Sequence, residues 1–525
     1  MRAGLAPLAT LRPAPGAVSP DLSFTFLNAR ACLELRPGAV DWAAPAMSRL
    51  WRYNLHYFEY LLDASVGDDL KTRLIDDWIA SNSAGTPDAW DPYPVSLRIV
   101  NWVKYFLERA QRQPVPQAWL TSLYTQAAWL TRHFEYHLLA NHLLKNTVAL
   151  FFAGCFFEGR EADLWLQRGW REFAAQVQEQ FLADGGHFER SPMYHALCLA
   201  DSIDVLTLAA QPPIAALARP ARECLARVRA AAEFLRDICF PDGDIPLFND
   251  AAFGVAAAPR LLLARAAEAL GCAPAADAWP TSPRSELIDK PQSGYFGFRS
   301  GTDMLLVDCG LIGPDYQPGH AHCDCLSYEL MLDGARLIVD SGVYDYDGGE
   351  RRRLCRTTAG HNTVSVDGCE QSEIWGVFRV GRRARPLRSL LRGAGEGGVF
   401  EGAHDGYRRL LGKPVHQRRI AWDGRTAIEV CDEVTGGGGE HRAESRIRLH
   451  PGYTPVIYDG YALVTGPDDK LAARIEFTNG LKPQLEGGSY FPRFGVELPC
   501  AVLVLRDSGR LPLRISYRII KPASV

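Results

Sequence analysis

The periodicity of apolar residues changes once along this 525-residue chain, and that change constrains the fold more than any other feature. From about Trp42 to Leu270, apolar residues recur every three or four positions, as in SLRIVNWVKYFLERA, which predicts amphipathic helices. After roughly Pro283, short runs of alternating polar and apolar residues are separated by Gly and Asp-Gly turns, which predicts antiparallel strands. The helices predict either hairpins around a central axis or a plain bundle, and the strands a β-sandwich or stacked sheets.

Length and charge limit the class of protein. A chain of 525 residues is too long for one ordinary core, which favours two large domains. The net charge of −4 provides no basic footprint, so we expect no nucleic-acid partner. No apolar run is long enough to span a membrane, and prolines interrupt the N-terminal apolar stretch, so no signal peptide is recognised. We therefore expect a cytoplasmic protein, or a periplasmic one if the start is misassigned.

The most specific chemical signal lies in the strand-rich half. His320 and His322 are two residues apart, a spacing that places both on one face of a strand or turn. Asp340 and His361 each lie at the edge of a predicted strand, where strand pairing can bring them to His322. Two imidazoles and one carboxylate suit zinc better than calcium. The alternative is a group of satisfied polar side chains buried between sheets.

Two further candidates lie in the helical half. Asn141 and His142 fall between two helical runs, where an asparagine is commonly a helix cap. Tyr194 follows Pro192, which fits the first turn of a helix and directs the phenol away from a helix end, although a lone Tyr is usually core. An amide, a phenol, an imidazole and metal ligands are together the groups needed to remove a weakly acidic carbon-bound proton beside a carboxylate.

Taken together, these residues resemble the heparinase II/III-like family of polysaccharide lyases. The resemblance covers most of the chain and is carried by WRYNLHYFEYL, NHLLKN, DGGHFERSPMYH, FNDAAFG and the long stretch from PGHAHCDCLSYELMLDG to HNTVSVDGCEQSEIW. It implies an α+β multidomain fold, an N-terminal incomplete (α/α) toroid followed by a C-terminal antiparallel β-sandwich. The implied domains are an irregular N-terminal segment 1–40, a toroid 41–282 and a sandwich 283–525.

The resemblance also implies β-elimination at a hexuronic acid. Asn141 matches the position that binds and neutralises the carboxylate next to the C5 proton. Tyr194 matches the phenol that protonates the departing O4 and that in some relatives also takes the C5 proton. His320 matches the opposing imidazole base, and His142 a further histidine used by some relatives. Whether one group or two act depends on syn or anti geometry, which the sequence leaves open.

A metal and supporting residues follow from the same resemblance. His322, Asp340 and His361 match positions that hold a divalent metal in part of the family, expected here to be a structural zinc. Arg356 and Asn362 are expected to line the cleft.

The expected partner is an acidic polysaccharide or oligosaccharide. The motif WRYNLHYFEYL is similar to relatives associated with bacterial surface-polysaccharide synthesis, which favours a bacterial exopolysaccharide or O-antigen-type glycan over heparin. Local clusters of arginine, among them Arg379, Arg382 and Arg383, indicate either a surface for acidic groups or a solvated charged edge. The oligomeric state stays open, with a homodimer as one option.

Two other functions compete with this interpretation. Helical toroids also carry paired carboxylates for glycoside hydrolysis, with Asp242 or Asp244 and Glu189 as candidates. A non-catalytic glycan-binding protein of polysaccharide assembly is the second alternative. Its stacking faces would come from aromatic residues that at helical spacing are more often core, namely Trp51, Tyr53, Tyr57, Trp90, Tyr93 and Trp102.

Overall fold

The structure is a computed structural model that describes residues 1–8, 15–36, 39–215, 222–272, 285–478 and 480–522. Within these ranges the helices are α1 (Arg49–Tyr57), α2 (Asp68–Ser81), α3 (Pro92–Arg109), α4 (Gln117–Leu130), α5 (Ala140–Phe156), α6 (Arg160–Gln180), α7 (Pro192–Ala209), α8 (Pro212–Ala215), α9 (Arg222–Ile238), α10 (Pro259–Ala269) and α11 (Glu350–Arg356). Two 3₁₀ turns cover Glu59–Leu62 and Thr358–Gly360.

The strands at the N-terminus are short. They are β1 (Ser23–Phe26), β2 (Ala29–Cys32), β3 (Glu34–Arg36) and β4 (Ala39–Val40). β1 pairs with β2 across a turn at Leu27 and Asn28, both of which have positive φ, the conformation of a tight two-residue hairpin turn. The segment 1–40, expected to be irregular, therefore contains two pairs of short antiparallel strands in its described part.

The remaining strands follow the helical region. They are β5 (Glu286–Lys290), β6 (Tyr295–Ser300), β7 (Asp303–Asp308), β8 (Tyr328–Leu332), β9 (Ala335–Ile338), β10 (Val364–Val366), β11 (Ile374–Trp375), β12 (Arg379–Val380), β13 (Pro386–Ala394), β14 (Gly397–His404), β15 (Val415–Trp422), β16 (Ala427–Thr435), β17 (Glu440–Arg448), β18 (Thr454–Tyr458), β19 (Tyr461–Thr465), β20 (Leu471–Phe477), β21 (Gln484–Tyr490), β22 (Leu498–Arg510) and β23 (Leu513–Ile520). The predicted order of a helical region followed by antiparallel sheets is confirmed.

The chain forms two compact units that are not successive stretches of sequence. Unit 1 contains Met1–Phe181, Leu197–Arg229 and Leu261–Pro274, and unit 2 contains Leu182–Ala196, Ala230–Arg260 and Ala275–Val525. The predicted domain boundary at 282/283 falls in 273–284, outside the described residues. No helix in the described part of the chain is long and apolar enough to cross a membrane.

In unit 1, α5 and α6 cross at two glycines. A Cβ added to Gly154 would lie 2.2 Å from the backbone nitrogen of Leu166. A Cβ added to Gly169 would lie 2.5 Å from the backbone nitrogen of Phe151. Each helix therefore presents a glycine to the backbone of the other, and this close approach packs the C-terminal part of α5 against α6.

In unit 2, three antiparallel sheets enclose the main core. The sheet orders are β5-β6-β7-β8-β9, β10-β17-β22-β21 and β13-β14-β15-β16-β23-β20-β19-β18. All three contribute to one apolar cluster, for example through Leu305, Leu503 and Ile420. All six residues of β7 are buried because its other face, with Met304 and Leu306, packs on Phe234. Both faces of β7 are thus covered.

We expect Gly154→Ala and Gly169→Ala each to destabilise the protein by about 1–3 kcal/mol, because the new methyl group must displace helix backbone rather than a flexible side chain. Urea denaturation measures the change. Gly487→Ala is the matched control, since a Cβ there meets nothing within 4 Å. Equal stability of all three variants would contradict the proposed helix contact.

Candidate active site

The loop before α7 fixes the position of Tyr194. Ser191 caps the helix, because its Oγ accepts a hydrogen bond from the Tyr194 N–H at 3.2 Å. The same hydroxyl donates to the carbonyl oxygen of Asp250 at 2.5 Å. Arg190 has φ 57°, and its carbonyl accepts a hydrogen bond from the Tyr295 hydroxyl at 2.6 Å. The cap at Ser191 and the strained backbone of Arg190 therefore fix the start of α7 relative to the five-stranded sheet β5–β9.

Tyr194 and His320 lie directly against each other. Their rings stack with centroids 3.8 Å apart and an interplanar angle of 26°. The Tyr194 hydroxyl also lies 3.1 Å from the hydroxyl of Tyr346. The structure therefore brings together two of the predicted catalytic residues, which are 126 positions apart in the chain.

Asp250 connects these residues to the predicted metal site. Its buried carboxylate accepts hydrogen bonds from His320 Nδ1 at 2.8 Å and from His322 Nε2 at 2.8 Å, and forms a salt bridge with Arg352 through both oxygens. Burial raises the pKa of Asp250, but Arg352 and the two histidine hydrogen bonds outweigh it and hold the pKa well below its usual range. Asp250 is therefore ionised and can only accept hydrogen bonds.

The ionised carboxylate sets the tautomer of each histidine. His320 must donate through Nδ1, so in the neutral ring Nε2 carries the lone pair and is the basic nitrogen. His322 must donate through Nε2, which leaves the lone pair on Nδ1. The carboxylate of Asp250 thus holds the candidate proton acceptor His320 by Nδ1 and the candidate metal ligand His322 by Nε2. The sequence prediction did not include Asp250, although FNDAAFG was among the motifs that carried the resemblance.

The candidate metal ligands are His322, Asp324 and His361. One ligand atom from each of these three buried residues lies within 4.8 Å of the others. His322 Nδ1 and His361 Nε2 are buried and make no hydrogen bond among the described residues. Burial lowers the pKa of His322 to about 4, so its ring is neutral at pH 7, the form that binds a metal. Two buried ring nitrogens without a hydrogen bond and a nearby carboxylate fit a divalent cation.

Asp340, the third predicted ligand, lies beside His361 and outside the group of three. Its Oδ2 lies 2.8 Å from His361 Nδ1, on the opposite side of the ring from the nitrogen that faces the group. The predicted ligand set of His322, Asp340 and His361 shares its two histidines with this group, and the role of Asp340 as a ligand stays a prediction. A carboxylate on the far nitrogen orients a ligating histidine and raises its basicity. The interval between His322 and His361 contains five aspartates, and spacing alone did not distinguish them.

Asn141 and His142 belong to unit 1 and lie on the first turn of α5. The helix begins at Ala140, and its N-cap residue Leu139 provides no side-chain cap, so Asn141 lies inside the helix and is not a cap. His142 Nδ1 lies 3.0 Å from Oε1 of buried Glu135, which orients the imidazole. The His142 ring also contacts Tyr93, with centroids 4.5 Å apart. The roles predicted for Asn141 and His142 stay predictions.

Two residues expected to line a cleft are instead buried supports. The Asn362 side chain donates to the carbonyls of Tyr328 and Val339, both at 2.9 Å. Arg356 donates to the carbonyl of Ala321 at 3.2 Å, between the two histidines of the HAH motif. Both residues fix backbone near the site, and neither is exposed to bind a ligand.

The fold and the site define a class of protein, an (α/α) toroid joined to a β-sandwich that carries a stacked Tyr–His pair. The crystal structure of heparinase III has this fold, with a TM-score of 0.74 and 19% identity over 94% of this chain and 80% of that chain. The heparinase II/III N-terminus model matches residues 72–268, and the heparinase II/III-like C-terminal model matches residues 282–518. The chain belongs to the heparinase II/III-like family, as the sequence motifs predicted.

Two curated relatives illustrate the range of the family. The FtsZ-localized protein C of Caulobacter vibrioides is 28% identical over 416 residues, 75% of this chain and 66% of the relative. The heparin-sulfate lyase of Pedobacter heparinus is 24% identical over 358 residues, 62% of this chain and 54% of the relative. The matches thus span between about half and two thirds of these relatives' own length.

We expect Asp324→Asn to remove bound metal and Asp340→Asn only to weaken its binding, by about 10–100-fold, because Asp324 lies in the ligand group and Asp340 behind His361. Metal content after purification and the concentration of zinc needed to raise the melting temperature measure the two effects. The two variants serve as controls for each other, since both change one buried carboxylate. Full metal content in Asp324→Asn would remove this residue from the ligand set.

Proposed function

We propose that this protein is a polysaccharide lyase that cleaves the glycosidic bond next to a uronic acid by β-elimination. The observation that carries the proposal is the stacked pair of Tyr194 and His320, with His320 Nδ1 held by the ionised carboxylate of Asp250. This pair places a phenolic proton donor beside an imidazole whose basic nitrogen is Nε2. A general acid and a general base in contact are the groups that an elimination requires.

The proposed reaction removes the C5 proton of the uronate and expels O4. The C5–H electron pair forms a C4–C5 double bond as the C4–O4 bond breaks, so the product is an unsaturated uronate with one proton delivered to O4. His320 Nε2 accepts the C5 proton in an anti elimination, and Tyr194 donates to O4. In a syn elimination the Tyr194 phenolate takes the C5 proton and returns it to O4. The stacked pair places both groups on one side of a bound sugar, which suits the syn route, whereas the anti route needs the two groups on opposite faces of the sugar.

The C5 proton is too weakly acidic for an ordinary base unless the adjacent carboxylate is neutralised. We assign this role to Asn141, whose side-chain amide can donate to the carboxylate, on the basis of the family motif NHLLKN. His142, oriented by Glu135, is proposed as a second group that contacts the substrate. Asn141 and His142 belong to unit 1, and Tyr194 and His320 belong to unit 2. Both assignments therefore rest on the motif and not on a distance between the two pairs.

We propose a structural role for the metal, with zinc as the expected ion. A divalent cation bound there would supply fixed positive charge between buried ligands. His322 lies two residues after His320 and shares Asp250 with it, so the ligand group and the reactive imidazole are parts of one rigid segment. The ligand residues therefore support the orientation of His320 rather than the proton transfer itself.

The proposed substrate is a bacterial exopolysaccharide or O-antigen-type glycan that contains uronic acid. The motif WRYNLHYFEYL, which is similar to relatives associated with surface-polysaccharide synthesis, supports this class over heparin. The cytoplasmic location stays a prediction.

A non-catalytic function is the second candidate, because one relative similar over 75% of the chain is named for its localisation with FtsZ and not for an activity. Glycan binding without turnover would be the result expected in that case. The hydrolase alternative is weaker, since one of its candidate acids, Asp242, forms a salt bridge with Arg336 at 2.6 Å.

We expect Tyr194→Phe to lower turnover at least about 100-fold, because the change removes the only group proposed to protonate O4. Absorbance of the unsaturated uronate is followed while purified protein is incubated with a panel of uronate-containing polysaccharides and oligosaccharides. Tyr458→Phe is the matched control, since it removes an exposed phenol on β18.

Three outcomes separate the candidates. Absorbance that is lost in Tyr194→Phe and retained in Tyr458→Phe supports the lyase. New reducing ends without absorbance indicate hydrolysis, and binding without either product indicates a glycan-binding protein. Unchanged turnover in Tyr194→Phe would reject the assigned role of the phenol.

A further inference from the structure

A small hairpin next to His320 exposes two large aromatic side chains. The hairpin surface comprises β11, β12 and the connecting turn 376–378. Trp375 is 54% exposed and Phe378 is 43% exposed. Burial normally stabilises such side chains, so their exposure on a tightly held turn needs a physical reason.

The hairpin surface also carries excess positive charge. Residues 373–385 contain four arginines and one glutamate, a local net charge of +3, in a chain whose net charge is −4. Arg383 and Arg385 share one oxygen of Asp315, each at 3.4 Å. Arg379 lies over the Trp375 ring, 5.0 Å from its centroid. The local cations therefore exceed the local carboxylates, which suits an anionic partner.

The surface is continuous with the reactive pair. The Phe378 ring meets His320 edge-on, with centroids 6.2 Å apart. It also packs against Tyr346 at 5.5 Å, and the Tyr346 hydroxyl contacts that of Tyr194. A glycan whose reacting sugar lies at Tyr194 and His320 therefore reaches this surface with a neighbouring sugar.

Two buried arginines of α11 hold the turn in place. Arg356 donates to the carbonyls of Gly376 at 3.0 Å and Val377 at 2.9 Å. Arg352 donates to the same Val377 carbonyl at 3.0 Å and forms the salt bridge with Asp250. A two-stranded hairpin is only marginally stable alone, so these bonds explain how it presents exposed aromatic rings in a fixed position.

We propose that the hairpin surface is a binding subsite for an anionic pyranose of the glycan chain. The C–H face of the sugar ring stacks on Trp375 or Phe378, and Arg379 and Arg382 donate hydrogen bonds to its carboxylate or sulfate. This inference rests on the proposed function in one respect, that the bound sugar is a neighbour of the uronate that reacts. It adds a specificity determinant outside the reacting residues.

The first experiment measures binding with the inactive Tyr194→Phe protein as background. The probes are size-fractionated oligosaccharides of hyaluronan, which is carboxylated, and of heparan sulfate, which is also sulfated, with neutral dextran for comparison. Adding Trp375→Ala and Arg379→Gln should weaken binding of the longer anionic probes about tenfold, the loss expected from one stacking contact and one charged hydrogen bond at an exposed site. Dextran binding should not change.

The matched control adds Tyr458→Ala and Arg419→Gln, which remove one exposed aromatic ring and one exposed arginine from the eight-stranded sheet. This control should bind like the background protein. Trp375→Phe, which keeps a ring, should restore most of the affinity lost in Trp375→Ala. Melting temperatures of all variants separate a lost contact from a lost fold.

Kinetics on the active protein give the second measurement. In the Trp375→Ala, Arg379→Gln variant, KM for long substrates should be about tenfold higher than in the wild type, and kcat should be nearly the same. The two changes remove binding to a sugar that does not react. The shortest cleaved oligosaccharide should show the smallest change in KM.

The outcomes distinguish this inference from the proposed function. If the anionic probes bind through Trp375 and Arg379 but are not cleaved, the subsite is supported and the lyase activity is rejected. If the substrates are cleaved and KM is the same for wild type and variant at every oligosaccharide length, the lyase activity is supported and the subsite is rejected. No binding of any anionic probe to the background protein also overturns the subsite, as does an equal loss in the control variant.

Discussion

The buried carboxylate of Asp250 is the interaction on which the rest of the site depends. It joins three segments that are far apart in the chain, through Arg352 and through the two histidines of the HAH motif. A buried ion is stable only when its charge and hydrogen-bonding capacity are satisfied, and all three partners of Asp250 are donors. Loss of this carboxylate would leave the Arg352 cation buried without a counter-ion and both imidazoles without the acceptor that sets their tautomers.

The general fold and the main pairs of the site follow from the sequence for physical reasons. The change in apolar period separates helices from strands because the two structures repeat every 3.6 and 2 residues. The HAH spacing and the strand-edge position of His361 predicted that His322 and His361 meet, and their ring centroids are 5.3 Å apart. Tyr194 follows Pro192 at a helix start, as predicted, and the resemblance supplied its partner His320.

The acidic residues of the site could not be predicted in the same way. The chain has 61 Asp and Glu residues, and neither Asp250 nor Asp324 lies in a periodic pattern or at a diagnostic spacing. Their roles arise from burial beside particular histidines, which is a tertiary property. The start of α5 was also misplaced, because Leu139 and Ala140 have positive φ, a conformation that residue type does not indicate. Among the aromatic residues considered for sugar stacking, Trp51 and Trp102 are core, whereas the exposed Trp375, which was not considered, lies on a hairpin.

Sharing one carboxylate also means that the two histidines of the HAH motif cannot reorient independently. If the His322 ring turned to present Nε2 to the ligand group, Asp250 would lose one of its hydrogen-bond donors. The same carboxylate orients His320, so its hydrogen bond to His320 would be disturbed as well. His361 is fixed in the same manner by Asp340, so each imidazole of the ligand group is held from behind by a buried carboxylate. The ligand group and the proposed base are thus parts of one hydrogen-bonded assembly, and any change that disturbs the ligand residues should reach His320 through Asp250 without contact with the substrate.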